Sequence, residues 1–254
     1  MRVLLSAIDG YKETSKIDNL LASWEAVKRP SDQICMAVHN TSPEILELLD
    51  AYNVQVVSVS KVTPSLYVDR FRWFEQLIMP DWEQVLCIDV RDVVFQSNPF
   101  DVLLCDLAIC DEGIDHDTED FNHRNLRYNF PVEFRKHRSH NVMNCGVIGG
   151  KGLLVKEACA AIFKKSMHSR TRHSTIDQAA YTILYHQGKI GGVTFDNTDH
   201  WCLTVGSVPY TTGELRAKGG EFINPDGVPY TIVHQYDRIP FMDYDKETNK
   251  FTEV

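Results

Sequence analysis

Short apolar runs alternate with amphipathic segments through the first two-thirds of the chain. The runs have the composition of buried strands, and the segments between them carry apolar residues at helical spacing. The predicted strands are residues 2–8, 33–39, 54–59, 84–88, 107–110 and 143–148, and the predicted helices include residues 15–27, 43–51, 66–79, 153–167 and 175–186. This alternation predicts an α/β fold with a mostly parallel central sheet and helices on both faces. At 254 residues, a single domain is expected.

Composition excludes several classes of protein. The chain has 26 Lys and Arg against 35 Asp and Glu, a formal charge of −9, and it has no basic block of the kind that nucleic-acid binding requires. No run approaches the roughly 20 apolar residues of a transmembrane helix. The seven cysteines are odd in number and form no CxxC pair, which favours a reducing compartment. We therefore expect a cytoplasmic protein, with the cytoplasmic face of a membrane as a second location.

The strongest local signal is an acidic pair at the end of a predicted strand. Asp89 and Asp92 follow the apolar residues 85–88 and precede a second apolar run, residues 93–95. Charge placed against apolar neighbours costs several kcal/mol unless a partner compensates it. Oxygen ligands of this type suit Mg²⁺ or Mn²⁺. The alternative is an ion pair with Arg91 that stabilises the turn, and spacing alone does not separate the two interpretations.

This strand, its acidic pair and the Asn-Pro-Phe turn after it resemble the metal-binding signature of GT-A glycosyltransferases, here with Asp-Val-Arg-Asp in place of the usual Asp-x-Asp. The resemblance extends in order from the first strand to His234. It implies a Rossmann-like GT-A domain whose residues 1–110 bind the nucleotide and whose residues 111–254 bind the acceptor. It also implies Mn²⁺ or Mg²⁺ as cofactor, with Asp92 as the primary ligand, Asp89 as its companion and His234 as a third ligand.

The same resemblance implies a donor-binding set. Ala7, Ile8 and Asp9, at the end of the first strand, would contact the base and ribose of a nucleotide-diphosphate sugar, most simply a UDP-sugar. Arg70 would lie near the diphosphate; Arg72 is two residues away and points about 200° around the helix, so at most one of them faces the site. Asn144, two residues before a glycine, would bind sugar hydroxyls. Plain strand, turn and solvated-helix roles are the alternatives for these residues.

Asp177 and Gln178 open a predicted helix that residues 174 or 175 would cap. An acidic residue in a first turn favours the helix dipole, which is the structural alternative. In the resembling family an Asp-Gln pair at this place faces the donor sugar and the acceptor. We therefore predict Gln178 as a donor contact and Asp177 as the catalytic base of an inverting transfer; the sequence leaves inversion and retention open.

Residues 112–140 are polar and rich in His, Asn and Arg, with few periodic apolar positions. We predict a long loop that acts as a lid or binds the acceptor. Its basic part, residues 135–140, would contact the diphosphate. A glycan or another hydroxyl compound is the expected acceptor.

Two other functions compete with the glycosyltransferase hypothesis. A nucleotidyltransferase that makes sugar nucleotides has a related fold, but the N-terminal region has no glycine-rich phosphate loop with a lysine. A non-catalytic carbohydrate-binding module would not need the acidic pair together with Asp177 and His234.

Overall fold

The computed structural model describes residues 1–171 and 176–253 of the chain. The apolar runs form strands, because alternate residues of each run are buried on opposite faces of a sheet. In chain order the strands are β1 Arg2–Asp9, β2 Asp32–His39, β3 Gln55–Ser58, β4 Gln84–Ile88, β5 Val93–Phe95, β6 Leu107–Asp115, β7 Asn141–Lys151, β8 Val193–Phe195, β9 Cys202–Thr204, β10 Ala217–Lys218, β11 Glu221–Phe222, β12 Ile232–His234, β13 Met242–Asp245 and β14 Lys250–Glu253.

The amphipathic segments form helices that connect these strands. The α-helices are α1 Ser15–Val27, α2 Pro43–Ala51, α3 Leu66–Leu77, α4 Asp120–Asn129, α5 Pro131–His137, α6 Gly152–Ser166 and α7 Ile176–His186, and short 3₁₀ turns span Pro99–Asp101, Val205–Tyr210 and Tyr236–Arg238. Within residues 1–171 and 176–253, none of the helices has both the length and the apolar character needed to cross a bilayer.

Seven strands form the central sheet, in the order β3-β2-β1-β4-β7-β6-β8. Every neighbouring pair is parallel except the two that involve β7, which runs antiparallel to β4 and β6. The prediction of a mostly parallel sheet in a Rossmann-like single domain is therefore confirmed. In such a sheet the carboxyl ends of the parallel strands share one edge, where ligands bind.

Helices cover both faces of the sheet, as predicted. On one face, Leu4 and Ile8 of β1 belong to a core that includes Trp24 of α1. On the other face, Leu5 belongs to a core that includes Trp73 of α3. This two-sided burial explains why the strand sequences are continuously apolar rather than alternating.

A second, three-stranded sheet has the order β5-β12-β9. β12 pairs antiparallel with β5, and this register sets His234 opposite Val93. Because Val93 directly follows Asp92, the pairing brings a residue from near the C-terminus beside the acidic pair. The apolar residues around 230–236 predict a strand longer than β12. The chain instead leaves the strand after His234, where Gln235 adopts a left-handed conformation (φ 63°).

The prediction of a long loop over residues 112–140 is wrong. β6 continues to Asp115, and α4 and α5 follow it. The buried positions of α4 are occupied mainly by asparagines, together with Leu126, so the segment lacks the apolar periodicity that indicates a helix. The predicted cap and first residue of α7, residues 174 and 175, lie outside the described residues.

Candidate functional site

A cavity of about 450 Å³ opens at the carboxyl ends of β1 and β4. Ala7 contributes from the end of β1, and Asp89 and Asp92 follow the end of β4. β7 passes through the floor and contributes Asn144, Cys145 and Gly146 to the lining. The lining residues that matter below are Ala7, Tyr11, Tyr67, Arg70, Asp89, Asp92, Glu112, Phe121, Asn122, Asn144, Gly146, Asp177, Gln178, His234, Gln235 and Arg238.

Asp89, Asp92 and His234 converge at the cavity floor. His234 Nε2 lies 3.5 Å from an oxygen of Asp89 and 3.9 Å from an oxygen of Asp92, and one ligand atom from each residue falls within 4.8 Å of the others. Two backbone connections hold this arrangement: the pairing of β5 with β12, and a 2.9 Å bond from the Asp89 amide to the Gly146 carbonyl. The three predicted metal ligands thus come together.

The three candidate ligand residues fit a divalent cation. In octahedral coordination at about 2.1 Å, neighbouring ligand atoms lie roughly 3.0 Å apart and opposite ones roughly 4.2 Å apart; the observed 3.5 and 3.9 Å fall in that interval. Both ring nitrogens of His234 are buried without a hydrogen-bond partner in the described part of the chain. Two carboxylates with one imidazole suit Mn²⁺ better than Mg²⁺.

Gly146 provides the space for this cluster. A Cβ atom on this residue would lie 2.6 Å from Nε2 of His234 and 2.9 Å from Oδ2 of Asp89. Both distances are shorter than any ordinary contact, so only glycine lets β7 pass beneath the three side chains. The close approach that this glycine permits is toward His234 and Asp89.

Arg70 lies between the acidic cluster and Asp177. It extends from the buried face of α3, contacts Asp89 through Nη1, and donates from Nη2 to Asp177 at 2.7 Å and to the Cys145 carbonyl at 3.2 Å. Its guanidinium also lies over the ring of Phe71, 4.9 Å from the centroid. These partners compensate the burial of the charge.

Arg72 lies outside the cavity and donates to the Ser60 carbonyl at 3.3 Å. The prediction that no more than one of Arg70 and Arg72 faces the site is therefore confirmed.

Asp177 lies in the first turn of α7 and is 1% exposed. Burial raises the pKa of its carboxyl group, while the Arg70 guanidinium lowers it. One carboxylate oxygen is already held by Arg70. The basicity of the Asp177 carboxylate therefore depends on two opposing effects: burial raises it, and the neighbouring arginine lowers it.

Glu112 is a site residue that the sequence pattern missed. It is buried on β6, where it accepts hydrogen bonds from Asn144 (2.8 Å) and Gln178 (3.2 Å). Burial raises the pKa of Glu112 to about 7. Like Asp89, it follows an apolar strand run, and that resemblance is the signal by which the sequence could have identified it.

The predicted donor contacts occupy different positions. Asn144 lines the cavity but uses both ends of its amide within the protein, since its oxygen also accepts from the Gly146 amide at 2.6 Å. Gln178 lines the cavity and also donates to Asn122 at 3.0 Å. Both residues therefore line the cavity, and their hydrogen bonds connect them to Glu112 and α4.

Of the three residues predicted at the end of β1, only Ala7 lines the cavity. The side chain of Ile8 is buried in the core, and Asp9 forms a 2.6 Å ion pair with Lys61 outside the lining. The basic residues 135–140 do not line it either. The lining also contains polar side chains that the sequence analysis did not single out, which are Tyr11, Tyr67, Glu119, Asn122, Gln235 and Arg238.

A scan against protein-family models found no match to this chain, and a search of curated proteins found none.

Proposed function

We propose that this chain is a metal-dependent glycosyltransferase that moves a sugar from a nucleotide-diphosphate donor to an acceptor hydroxyl. The observation that carries the proposal is the convergence of Asp89 and Asp92 with His234, from near the end of the chain, in one cavity at the ligand-binding edge of the sheet. A UDP-sugar is the donor that the resemblance implies. Mn²⁺ is the cation that the mixed oxygen and nitrogen ligands favour.

The charge balance of the cavity supports a donor with a diphosphate group. Among the described residues, the lining carries five carboxyl side chains against three arginines, and Arg70 is held by two of those carboxyl groups; the eight residues are Asp89, Asp92, Glu112, Glu119, Asp177, Arg70, Arg91 and Arg238. A diphosphate would therefore meet net negative charge in the protein alone. A divalent cation on Asp89, Asp92 and His234 would neutralise the leaving group as negative charge develops on it.

The transfer requires a base for the acceptor hydroxyl if the configuration at the anomeric carbon is inverted. The acceptor oxygen forms the new bond to that carbon, the bond to the diphosphate oxygen breaks, and the hydroxyl proton passes to Asp177. The Arg70 guanidinium orients Asp177 through one oxygen. In a retaining transfer the proton would instead pass to the leaving diphosphate, and Asp177 would only position hydroxyls.

Binding of Mn²⁺ and UDP tests the donor site. We expect Mn²⁺ with UDP to raise the melting temperature by several degrees, and UDP alone to have little effect. Asp92→Asn should lose this shift. Asp50→Asn is a matched control because Asp50 is exposed on α2, remote from the cavity. An undiminished shift in Asp92→Asn would exclude Asp92 as a ligand.

Turnover tests the enzyme class. Wild-type protein with Mn²⁺ and a panel of nucleotide sugars should slowly hydrolyse one donor. The anomeric configuration of the released or transferred sugar, measured by NMR, then distinguishes inversion from retention. Asp177→Asn should abolish transfer and preserve Mn²⁺–UDP binding. Binding without hydrolysis or transfer of any donor would favour the carbohydrate-binding alternative.

A further inference from the structure

A second concave surface lies beside α4. We call it the α4 groove; it has a volume of about 600 Å³ and is lined by Phe121, Arg124, Asn125, Arg127, Tyr128, Asn129 and Arg170. All but Arg170 belong to α4, and Arg170 lies in the segment after α6. The groove is separate from the acidic cluster, and its lining contains no carboxylate.

The α4 groove is strongly basic in a chain whose net charge is −9. In the described part of the chain, no salt bridge joins the exposed side chains of Arg124, Arg127 or Arg170 to a carboxylate. The Nε atom of Arg124 donates only to the backbone carbonyl of Asp120 at 3.1 Å. Three guanidinium groups are therefore available to an anion. Arginine binds carboxylate and phosphate groups through two parallel hydrogen bonds.

Two aromatic side chains share this surface with the arginines. Phe121 and Tyr128 are 49% and 60% exposed. They are seven residues apart on α4, and Arg124 lies between them at helical spacing, so all three occupy one face. The opposite face carries Leu126 into the core. Aromatic rings beside guanidinium groups offer one ligand both an apolar surface and positive charge.

The walls of the groove are held together by hydrogen bonds. The Arg170 amide donates to the Asn129 carbonyl at 3.3 Å, and the Thr171 hydroxyl donates to the Asn129 side chain at 2.8 Å. Asn129 in turn donates to the side chain of Asn125 at 2.8 Å. Arg170 is thereby fixed against the C-terminal end of α4, and the separation of the groove walls is set by the protein itself.

The α4 groove adjoins the metal cavity. Phe121 lines both, and the next residue, Asn122, faces the metal cavity and accepts a hydrogen bond from Gln178 at 3.0 Å. A molecule that lies in the groove is thus next to the cavity that contains Asp177. We propose that the α4 groove binds the acceptor of the transfer, and that this acceptor carries a negatively charged group, a carboxylate or a phosphate, on or next to a sugar ring. The inference rests on the proposed function.

Matched disaccharides test this charge preference. The probes are a glucose disaccharide, the same compound with glucuronic acid at its non-reducing end, and its 6-phosphate form, each titrated calorimetrically into the full chain with Mn²⁺ and UDP. We expect at least one anionic form to bind tenfold more tightly than the neutral one, with the difference shrinking between 50 and 300 mM salt. The stronger of the two anionic forms identifies the carboxylate or the phosphate.

The groove variant is Arg127→Gln with Arg170→Gln, and both side chains are exposed. It should lose the tenfold preference. The matched control is Arg135→Gln with Lys136→Gln, which removes the same charge from exposed positions of α5 outside both cavities and should keep the preference. Equal binding of all three disaccharides by the wild type, binding of none, or an unchanged preference in the groove variant would overturn the inference.

The Mn²⁺–UDP thermal shift separates this inference from the proposed function. A wild-type shift without an anionic preference would refute the acceptor assignment alone. An arginine-dependent preference, measured without any Mn²⁺–UDP shift, would refute the glycosyltransferase proposal and leave the α4 groove as an anion-binding carbohydrate site.

Discussion

The Nη2 atom of Arg70 donates to Oδ2 of Asp177 across 2.7 Å, while its other terminal nitrogen contacts Asp89. One side chain of α3 therefore connects the candidate base on α7 to the candidate metal cluster after β4. Because the carboxylates of Asp89 and Asp177 contact the same guanidinium, the position of the candidate base is linked to that of the candidate metal cluster. A change at Arg70 should affect stability as well as ligand binding.

Arg70→Gln should destabilise the fold by about 3 kcal/mol, because it leaves the buried Asp177 carboxylate without its charged partner. The free energy of unfolding in urea measures this loss. Arg72→Gln is the control: its side chain lies outside the cavity on the same helix, and surface changes of this kind cost about 0.5 kcal/mol or less. Equal free energies of unfolding for the two variants would contradict a structural role for the contacts of Arg70 with Asp89 and Asp177.

Gly146→Ala should abolish the Mn²⁺–UDP thermal shift. The added methyl group would lie 2.6 Å from Nε2 of His234 and would displace the imidazole from the two carboxylates. Gly191→Ala provides the matched control, since a Cβ there meets nothing within 4 Å and the backbone needs no left-handed conformation. A normal shift in Gly146→Ala would mean that His234 is not required for cation binding.

The parts of the site that follow strand order could be predicted from sequence. Asp89 and Asp92 follow the end of β4, at the edge of the central sheet where ligands bind. His234 is the last residue of β12 in the second sheet, and the pairing of β12 with β5 brings it beside them. The sequence does not determine which partner each side chain takes. Asp9, at the end of β1, was an equally good candidate for a site residue. Its side chain instead forms a 2.6 Å ion pair with Lys61 and lies outside the cavity.

Residues 112–140 show a different limit of sequence analysis. α4 buries Asn122, Asn125 and Asn129 and exposes Phe121 and Tyr128. This pattern is the inverse of an ordinary amphipathic helix, and hydrophobic periodicity therefore gives no helical signal. The asparagines are buried because they hydrogen-bond to each other and to Gln178, which is information that only the tertiary structure contains.

Glu112 should make the fold less stable as the pH rises. Its pKa is about 7 in the fold, against an ordinary value of 4.5, so the unfolded chain loses this proton first. The contribution of protonated Glu112 to the free energy of unfolding is complete below pH 4.5. It is lost as the pH rises through 7, by about 3 kcal/mol in total.

The side chain in Glu112→Gln does not titrate, so comparison with this variant isolates the contribution of Glu112 to the pH dependence of stability. In urea unfolding with a chelator present, the stability difference between wild type and Glu112→Gln should shift against the wild type from pH 4.5 to 7 and level off above pH 8. A difference that is independent of pH would show that Glu112 is ionised in the fold at neutral pH.

His116 should have the opposite pH dependence. It is fully buried at the end of β6, where Nδ1 lies 3.2 Å from the Asn122 carbonyl and Nε2 has no partner in the described residues. Burial lowers its pKa from 6.5 to about 4. The unfolded chain therefore takes up a proton first as the pH falls, and stability present above pH 6.5 is lost on the way to pH 4, by about 3 kcal/mol.

His116→Asn removes the titrating group and keeps a polar side chain of similar length beside Asn122. Its stability relative to the wild type should improve steadily as the pH is lowered from 6.5 to 4, whatever constant cost the smaller side chain adds. Because the Asn122 carbonyl belongs to α4, the protection factors of the α4 amides, which are corrected for the intrinsic slowing of exchange in acid, should fall over the same pH interval in the wild type and not in the variant. Parallel acid unfolding of the two proteins would show that other groups control the acid limit of the fold.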